Sequence, residues 1–121
     1  MKTALVIEDN VEIQENTVEI LELAGYSTVS ASNGEEGISL ATTTKFDIIL
    51  CDIIMPGMNG YEVIQAFKKN PATARVPFIY VSANAEKREL EKAMNLGADG
   101  YVCKPFDTPD LITAIERSLL K

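Results

Sequence analysis

Five short apolar segments, each followed by a helical pattern, are the feature that most constrains how this chain can fold. The segments cover residues 4–7, 26–31, 46–52, 77–82 and 100–102. In the first and third, apolar residues follow one another without polar alternation, which is typical of strands buried on both faces of a parallel sheet. Short connections between strands and helices place helices on both faces of such a sheet. The sequence therefore predicts a doubly wound (βα)5 fold, an α/β sandwich of three layers.

The predicted helices carry apolar residues at helical spacing and end at residues that stop helices. They cover residues 11–24, 34–42, 61–69, 86–96 and 109–120. Gly25 and Gly97 follow the first and fourth helices, and glycine most readily takes the left-handed conformation after a helix. Asp9 or Asn10 can cap the first helix. Residues 53–60 contain two glycines, a proline and an asparagine, which predict a loop.

Length and composition narrow the class of protein. A chain of 121 residues fits a single domain, which we place at residues 1–121. The formal net charge of −7 argues against direct contact with nucleic acid, because such a surface needs clustered Lys and Arg. No apolar run approaches the roughly 20 residues of a membrane span, and the first strand begins too early for a signal peptide. We expect a cytoplasmic protein that does not contact membranes.

Polar residues stand at the ends of four of the five predicted strands. They are Glu8-Asp9, Asp52, Ser82 and Lys104. In open α/β sheets the carboxyl ends of the strands border the binding crevice, so we expect these side chains to meet there. Two carboxylates 4 Å apart repel by about 4 kcal/mol at an effective dielectric near 20, so a cation must compensate. Mg²⁺ suits oxygen ligands of this kind, and Lys104 supplies a second positive charge.

This set of groups suits phosphoryl transfer. Cations neutralise the charge on the phosphoryl oxygens, while the site places the attacking oxygen in line. We predict that Asp52 is the nucleophile, that Ser82 donates a hydrogen bond to the phosphoryl group and that Lys104 is the cationic partner. The product would be an acyl phosphate, which is a covalent signal.

Four motifs in this order resemble those of response regulator receiver domains from two-component signal transduction. They are LVIEDN at residues 5–10, DIIMPGMNG at residues 52–60, SA at residues 82–83 and KPF at residues 104–106. Each motif is weak alone, but all four at predicted strand ends are specific, and the resemblance covers residues 2–121. It implies a flavodoxin-like fold, similar to that of the chemotaxis regulators, with strand order 2-1-3-4-5.

The resemblance also implies the roles of the site residues. Asp52 would accept a phosphoryl group from a sensor histidine kinase or a histidine phosphotransfer protein. Mg²⁺, for which Mn²⁺ can substitute, would be bound by Asp9, Asp52 and the backbone carbonyl of Ile54. Glu8 would contact the metal through water. Catalysis would be limited to the domain's own phosphoryl transfer and slow self-dephosphorylation, so the protein would not be an enzyme.

The family's switch implies a pairing of the Ser82 hydroxyl with the ring of Tyr101. Both would move on phosphorylation and change the face formed by the fourth helix, fifth strand and fifth helix. That face would control an output domain or a protein partner, or form a phosphorylation-dependent homodimer. The resemblance further implies a cis peptide bond between Lys104 and Pro105.

Two positions bear on how long the phosphate lasts. Ile54 and Asn84 lie two residues beyond Asp52 and Ser82, where the family tunes the lifetime of the phosphoryl group. An apolar Ile54 should hinder an attacking water more than a polar side chain would. We therefore expect slow self-dephosphorylation.

The remaining polar and sulfur-containing residues suggest no second site. Cys51 and Cys103 are expected to be reduced thiols in the core, and the implied strand order separates their strands by another strand, beyond disulfide reach. Without a CxxC pair or any histidine, a zinc or haem site has little support. The run at residues 86–89 alternates in sign and is expected to be a solvated helix face.

Three other functions compete with this interpretation. A phosphatase of the haloacid-dehalogenase kind also uses an aspartate at a strand end, but it needs an acid two residues later, where this chain has Ile54. A flavodoxin-like cofactor binder needs a phosphate loop after the first strand, where Glu8 and Asp9 would repel phosphate. An interaction module that no longer accepts phosphate is disfavoured because all the acceptor residues are present. Tyr101 could also be only an edge-strand aromatic residue.

Overall fold

The computed structural model describes residues 1–83 and 86–120 and contains five strands that alternate with five helices. In chain order these are β1 Thr3–Ile7, α1 Val11–Leu23, β2 Ser27–Ala31, α2 Gly34–Ala41, β3 Ile48–Cys51, α3 Gly60–Lys69, β4 Phe78–Ser82, α4 Lys87–Asn95, β5 Gly100–Cys103 and α5 Thr108–Leu119. Within those two described ranges, no helix combines the length and apolar character that crossing a membrane requires.

The five strands form one parallel sheet in the order β2-β1-β3-β4-β5. This is the order that the resemblance implied, and the prediction of a doubly wound, flavodoxin-like fold is confirmed. β3 lies at the centre of the sheet, and all four of its residues are buried. Ile7 pairs with Cys51 in the register of β1 and β3, so the residues that follow them, Glu8 and Asp52, emerge side by side.

Helices cover both faces of the sheet and bury two separate apolar layers. α1 and α5 pack on one face through Leu21, Leu111 and Ile115. α2, α3 and α4 pack on the other, where α3 contributes Val63 and Phe67. This two-sided burial explains why β1 and β3 need continuous apolar sequences.

The helix ends follow local chemistry that the sequence indicates. Of the two candidate caps for α1, it is Asn10 whose side chain accepts a hydrogen bond from the amide of Ile13 at 3.1 Å. Gly25 and Gly97 have φ angles of 96° and 106°, so both adopt the left-handed conformation expected after a helix.

Several predicted boundaries were wrong by one or two residues. The largest difference is at β3, which we predicted at residues 46–52 and which spans Ile48–Cys51. Phe46 is buried and Asp47 still bonds to β1, since the Asp47 carboxylate accepts a hydrogen bond from the Thr3 amide at 2.7 Å. These two residues therefore contact the sheet without belonging to the strand.

The two cysteines are free, as expected. Cys51 lies in the core, but Cys103 is exposed, so the expectation of two core thiols was wrong for Cys103. Along the edge strand β5 the side chain of Val102 points into the core, and Cys103, the next residue, points away from it.

Candidate functional site

The polar residues at the strand ends converge at the carboxyl edge of the sheet. The Nζ atom of Lys104, which follows β5, lies 2.6 Å from Oε1 of Glu8 and 3.0 Å from Oδ2 of Asp52. These three residues are separated by up to 96 positions in the sequence. The expectation that the strand-end residues Glu8, Asp52 and Lys104 meet at one edge agrees with this geometry.

Glu8 is held in place by its neighbours on β1, β2 and α1. Its carboxylate accepts a hydrogen bond from the amide of Asn10 at 3.2 Å. The side-chain amide of Gln14 donates to the carbonyl oxygens of Glu8 at 3.0 Å and of Ala31 at 3.1 Å. Gln14 thus joins the ends of β1 and β2 just below the site. The sequence analysis did not identify this role, because no local pattern signals it.

Asp52 is positioned by the loop that follows β3. Only 7% of Asp52 is exposed, and its Oδ1 atom accepts a hydrogen bond from the Ile54 amide at 3.3 Å. Gly60 packs against the backbone here, because a Cβ atom at this position would lie 2.5 Å from the Asp52 carbonyl oxygen. A glycine at the start of α3 therefore allows the helix to approach the end of β3 closely.

The acidic side chains form a group that could hold a metal ion. Ligand oxygens of Glu8, Asp9 and Asp52 all lie within 4.8 Å of one another, and Asp9 is exposed while the other two are buried. Carboxylate oxygens are the donors that Mg²⁺ prefers, and one exposed edge leaves room for the waters that it keeps. The residues present therefore fit a hard divalent cation.

The electrostatics of the site show a shortage of positive charge. Burial raises the pKa of Glu8, the hydrogen bond from Lys104 lowers it and the charge of Asp52 raises it, with a net value of about 7. Burial alone would lower the pKa of the Lys104 ammonium, but its hydrogen bonds to Glu8 and Asp52 outweigh burial and leave that pKa raised. One lysine does not neutralise three carboxylates, so a further cation would be favoured here.

Ser82 and Tyr101 lie beside this acidic group. Ser82 ends β4 and is 1% exposed, and Tyr101 is half-buried on β5. Burial raises the pKa of the Tyr101 hydroxyl, while a hydrogen bond with Ser82 acts in the opposite direction. The two residues that the resemblance implied as a switch pair are thus in contact.

A groove of about 340 Å³ opens beside Ile53 and Ile54, the two residues that follow Asp52. Ile54, Tyr61, Ser82 and Glu89 are among its lining residues, and Ile54 is 68% exposed at its edge. The peptide bond between Lys104 and Pro105, for which the resemblance implied a cis geometry, is cis. Asn84, the second predicted lifetime position, lies outside the described residues.

The solvated face expected at residues 86–89 is exposed at residues 86–88, and the expectation was wrong for Glu89. Glu89 belongs to the run predicted to be a solvated face, yet it is half-buried and accepts a hydrogen bond from the hydroxyl of Tyr61 on α3. The ammonium of Lys92 lies 4.2 Å from the centre of the same ring. The sequence analysis missed these contacts, because they join two helices whose relative positions no local pattern specifies.

With this fold and site, the chain belongs to the response regulator receiver domain family, whose members are signalling domains of two-component systems and not classical enzymes. The family match covers residues 4–116. The resemblance seen in the four sequence motifs is therefore confirmed.

Individual relatives agree with this assignment. The chain is 33% identical over 121 residues to the response regulator SaeR of Staphylococcus aureus and 31% identical over 118 residues to the phosphate regulon transcriptional regulatory protein PhoB of Pseudomonas aeruginosa. These alignments cover 100% and 98% of this chain but 52% of each relative, so the chain spans about half the length of these curated relatives.

Two solved structures superpose on this chain over nearly all of their length. The chemotaxis protein CheY4 of Vibrio cholerae superposes with a TM-score of 0.93 at 26% identity, with 98% of both chains covered. A CheY-like receiver domain protein from Methanospirillum hungatei superposes with a TM-score of 0.88 at 32% identity, with 98% of this chain and 94% of that chain covered.

Proposed function

We propose that residues 1–121 are one receiver domain in which Asp52 accepts a phosphoryl group from a sensor histidine kinase or a histidine phosphotransfer protein. The observation that carries this proposal is the ion pair of Lys104 with both Glu8 and Asp52. It supports the proposal because the carboxylate of Asp52, the Lys104 ammonium and oxygens that could hold a metal ion lie together at one edge of the sheet.

The proposed reaction is a transfer from nitrogen to oxygen. A carboxylate oxygen of Asp52 attacks the phosphorus of a phosphohistidine on the partner. The N–P bond breaks, its electron pair remains on the imidazole nitrogen, and an acyl phosphate forms on Asp52. Lys104 is close enough to Asp52, at 3.0 Å, to donate a hydrogen bond to the transferred group, and Ser82 can offer its hydroxyl.

Mg²⁺ is the cofactor that this arrangement favours, and Mn²⁺ can substitute. Glu8, Asp9 and Asp52 would hold it, with Glu8 acting through water and the backbone carbonyl of Ile54 as a further ligand. When bound, the ion would neutralise negative charge on the phosphoryl oxygens.

The signal is proposed to leave the site through Ser82 and Tyr101. Attraction of the Ser82 hydroxyl to the phosphoryl group would remove its present bond to Tyr101 and let the ring move on the face of α4, β5 and α5. A change of population from 1:99 to 99:1 requires about 5.5 kcal/mol of preference for one state. Charge-assisted hydrogen bonds from Ser82 and Lys104 can supply a large part of it.

The output is proposed to act through that face on an output domain, a separate protein or a second copy of the chain. The net charge of −7 is unfavourable for direct contact with nucleic acid. The proposed location is the cytoplasm, where two-component phosphotransfer partners act. Ile54, exposed beside Asp52 and apolar, would slow attack by water, so we propose that self-dephosphorylation is slow.

Incubation with acetyl phosphate and Mg²⁺ followed by intact mass measurement tests the proposal. The parent should gain the mass of one phosphoryl group, and a chelator should prevent the gain. Asp52→Asn should gain nothing, whereas Asp110→Asn, at the exposed start of α5, should behave like the parent. An unmodified parent, or an Asp52→Asn variant modified as fully as the parent, would contradict the proposal and favour an inert interaction module.

A further inference from the structure

Tyr61 connects α3 to α4 through two different contacts. Its hydroxyl donates a hydrogen bond to the Glu89 carboxylate, and its ring lies 4.2 Å from the Lys92 ammonium. Glu89 and Lys92 are three residues apart, so they lie on the same side of α4. A single side chain of α3 thus holds one turn of α4 by a charge-assisted hydrogen bond and a cation–π contact. We call Tyr61, Glu89 and Lys92 the α4 clamp.

The rest of α4 is weakly anchored. Within Lys87–Asn95, all of which is described, Ala93 is the one residue that is buried, whereas α3 buries four residues. Because few apolar contacts hold α4, the clamp contributes a large share of what fixes its position.

The clamp also borders the phosphoacceptor site. Tyr61 and Glu89 line the same groove as Ser82 and Ile54, and the Ile54 amide donates a hydrogen bond to Asp52. The ring of Tyr80 neighbours both Tyr61 and the proposed switch residue Tyr101, with ring centres 5.9 Å and 6.4 Å away. Glu89 therefore lines a groove whose other walls, Ile54 and Ser82, are the residues expected beside a phosphoryl group on Asp52.

We propose that Tyr61 is a positioning residue that holds α4 in its resting place, and that a phosphoryl group on Asp52 opposes this clamp through the charge of Glu89. This inference rests on the proposed function. A phosphoryl group carries about −1.5 to −2 charges at neutral pH and replaces the single charge of the Asp52 carboxylate, so phosphorylation adds negative charge that repels the Glu89 carboxylate across the groove. Coupling of this kind is reciprocal, so weakening the clamp must favour occupation of the phosphoryl site.

The first test removes the hydroxyl and keeps the ring. Tyr61→Phe is compared with Tyr26→Phe, a half-buried tyrosine that precedes β2 on a different part of the molecule. Hydrogen–deuterium exchange of residues 87–95 reports on α4 in the unmodified protein. Titration with beryllofluoride in the presence of Mg²⁺, followed by amide NMR shifts, reports on the phosphoryl site. We expect Tyr61→Phe to speed exchange in α4 and to tighten beryllofluoride binding by about fivefold or more, the lower end of usual allosteric couplings.

The second test removes the charge and keeps a hydrogen-bond acceptor. Glu89→Gln should also tighten beryllofluoride binding, because the repulsion is gone, while α4 stays better protected from exchange than in Tyr61→Phe. Glu91→Gln, an exposed position on the same helix, should match the parent in both measurements. A role limited to stability would not change the affinity of the phosphoryl site in this pattern.

The outcomes separate the clamp from the proposed function. Unchanged α4 exchange in Tyr61→Phe would overturn the clamp whether or not the protein accepts phosphate. Faster exchange with unchanged beryllofluoride affinity would overturn the coupling. If the parent binds no beryllofluoride at all, the proposed function fails and the coupling fails with it, while faster exchange in Tyr61→Phe would still show that the hydroxyl anchors α4.

Discussion

Neutralising Asp52 should make the metal-free protein more stable, although it removes the partner of an ion pair. The substitution Asp52→Asn keeps the shape of the side chain and removes its charge. It keeps one of the two acceptor oxygens, so only one of the hydrogen bonds from the Ile54 amide to Oδ1 and from Lys104 to Oδ2 can remain. The sign of its effect therefore reports whether repulsion within the acidic group outweighs the attraction of Lys104 together with the lost hydrogen bond.

The distances in the site give the expected magnitude. At an effective dielectric near 20, two like charges 4.8 Å apart repel by about 3.5 kcal/mol, and Asp52 lies at least this close to both Glu8 and Asp9. Its attraction to Lys104 at 3.0 Å is about 5.5 kcal/mol on the same scale. Solvent weakens the repulsion from the exposed Asp9, and the loss of one hydrogen bond opposes the gain in stability. The desolvation cost of the buried, ionised Asp52, which the variant does not have, adds to that gain. We expect Asp52→Asn to raise the free energy of unfolding by about 1 to 2 kcal/mol.

Thermal unfolding followed by circular dichroism measures this effect. The experiment uses low salt, a chelator and pH 8, where Glu8, with a pKa of about 7, is mostly ionised. The Tm should rise by about 4 °C for each kcal/mol in a domain of this size. Glu19→Gln, on the exposed face of α1, removes a charge elsewhere and should change stability by less than about 0.5 kcal/mol.

Added Mg²⁺ provides the internal check. It should stabilise the parent more than Asp52→Asn, because a ligand that binds the folded state stabilises it in proportion to its affinity. The difference in Tm between Asp52→Asn and the parent should therefore decrease as the metal concentration rises. An Asp52→Asn variant that is less stable than the parent without metal would refute the reasoning, since it would mean that Lys104 compensates the acidic group fully.

Three further substitutions test other parts of the structure. Gly60→Ala should lower the free energy of unfolding in urea by about 1 to 3 kcal/mol, because the added Cβ would overlap backbone atoms of Asp52 and Ile53. The control Gly25→Ala has open space around its Cβ and should lose only about 1 kcal/mol from its left-handed backbone. Equal losses in the two variants would contradict this. Ile54→Asn should shorten the lifetime of the acyl phosphate by about tenfold, or about 1.4 kcal/mol in barrier, in a phosphate-release assay, and an unchanged rate would reject the role of the apolar side chain. Lys104→Met should cost about 3 kcal/mol at pH 8 without metal, because two buried carboxylates lose their cation, and stability equal to the parent would show that they protonate instead.

The fold could be predicted from the sequence because each element depends on local information. Buried parallel strands require the continuous apolar runs seen in β1 and β3, and glycines follow the helices that end in the left-handed conformation. The limits of β3 were less predictable. Phe46 is apolar and buried like a strand residue, but its backbone does not follow the ladder, and burial alone cannot distinguish the two cases.

Of the candidate site, only the residues at the strand ends could be predicted from the sequence. The positions of Glu8, Asp52 and Lys104 follow from parallel strands that share an edge, so topology brings them together once the strand order is known. The contact of Tyr61 with Glu89 depends on how α3 and α4 pack, which no spacing in either helix encodes. Cys103 was assigned to the core for a related reason. The sequence of an edge strand does not indicate which of its side chains are exposed.

The positions of Asp52 and Tyr101 in the sheet have a mechanical consequence. Asp52 follows β3, which is bonded to a neighbour on each side, whereas the proposed switch residue Tyr101 lies on β5, which has one neighbour. To shift β3, two rows of backbone hydrogen bonds would have to break, but β5 can bend or slide at the expense of one. The sheet is therefore stiff at the central strand, where the phosphoryl group would be bound, and more easily deformed at the edge strand, which the partner would contact. Strain introduced at the centre would be relieved at the edge.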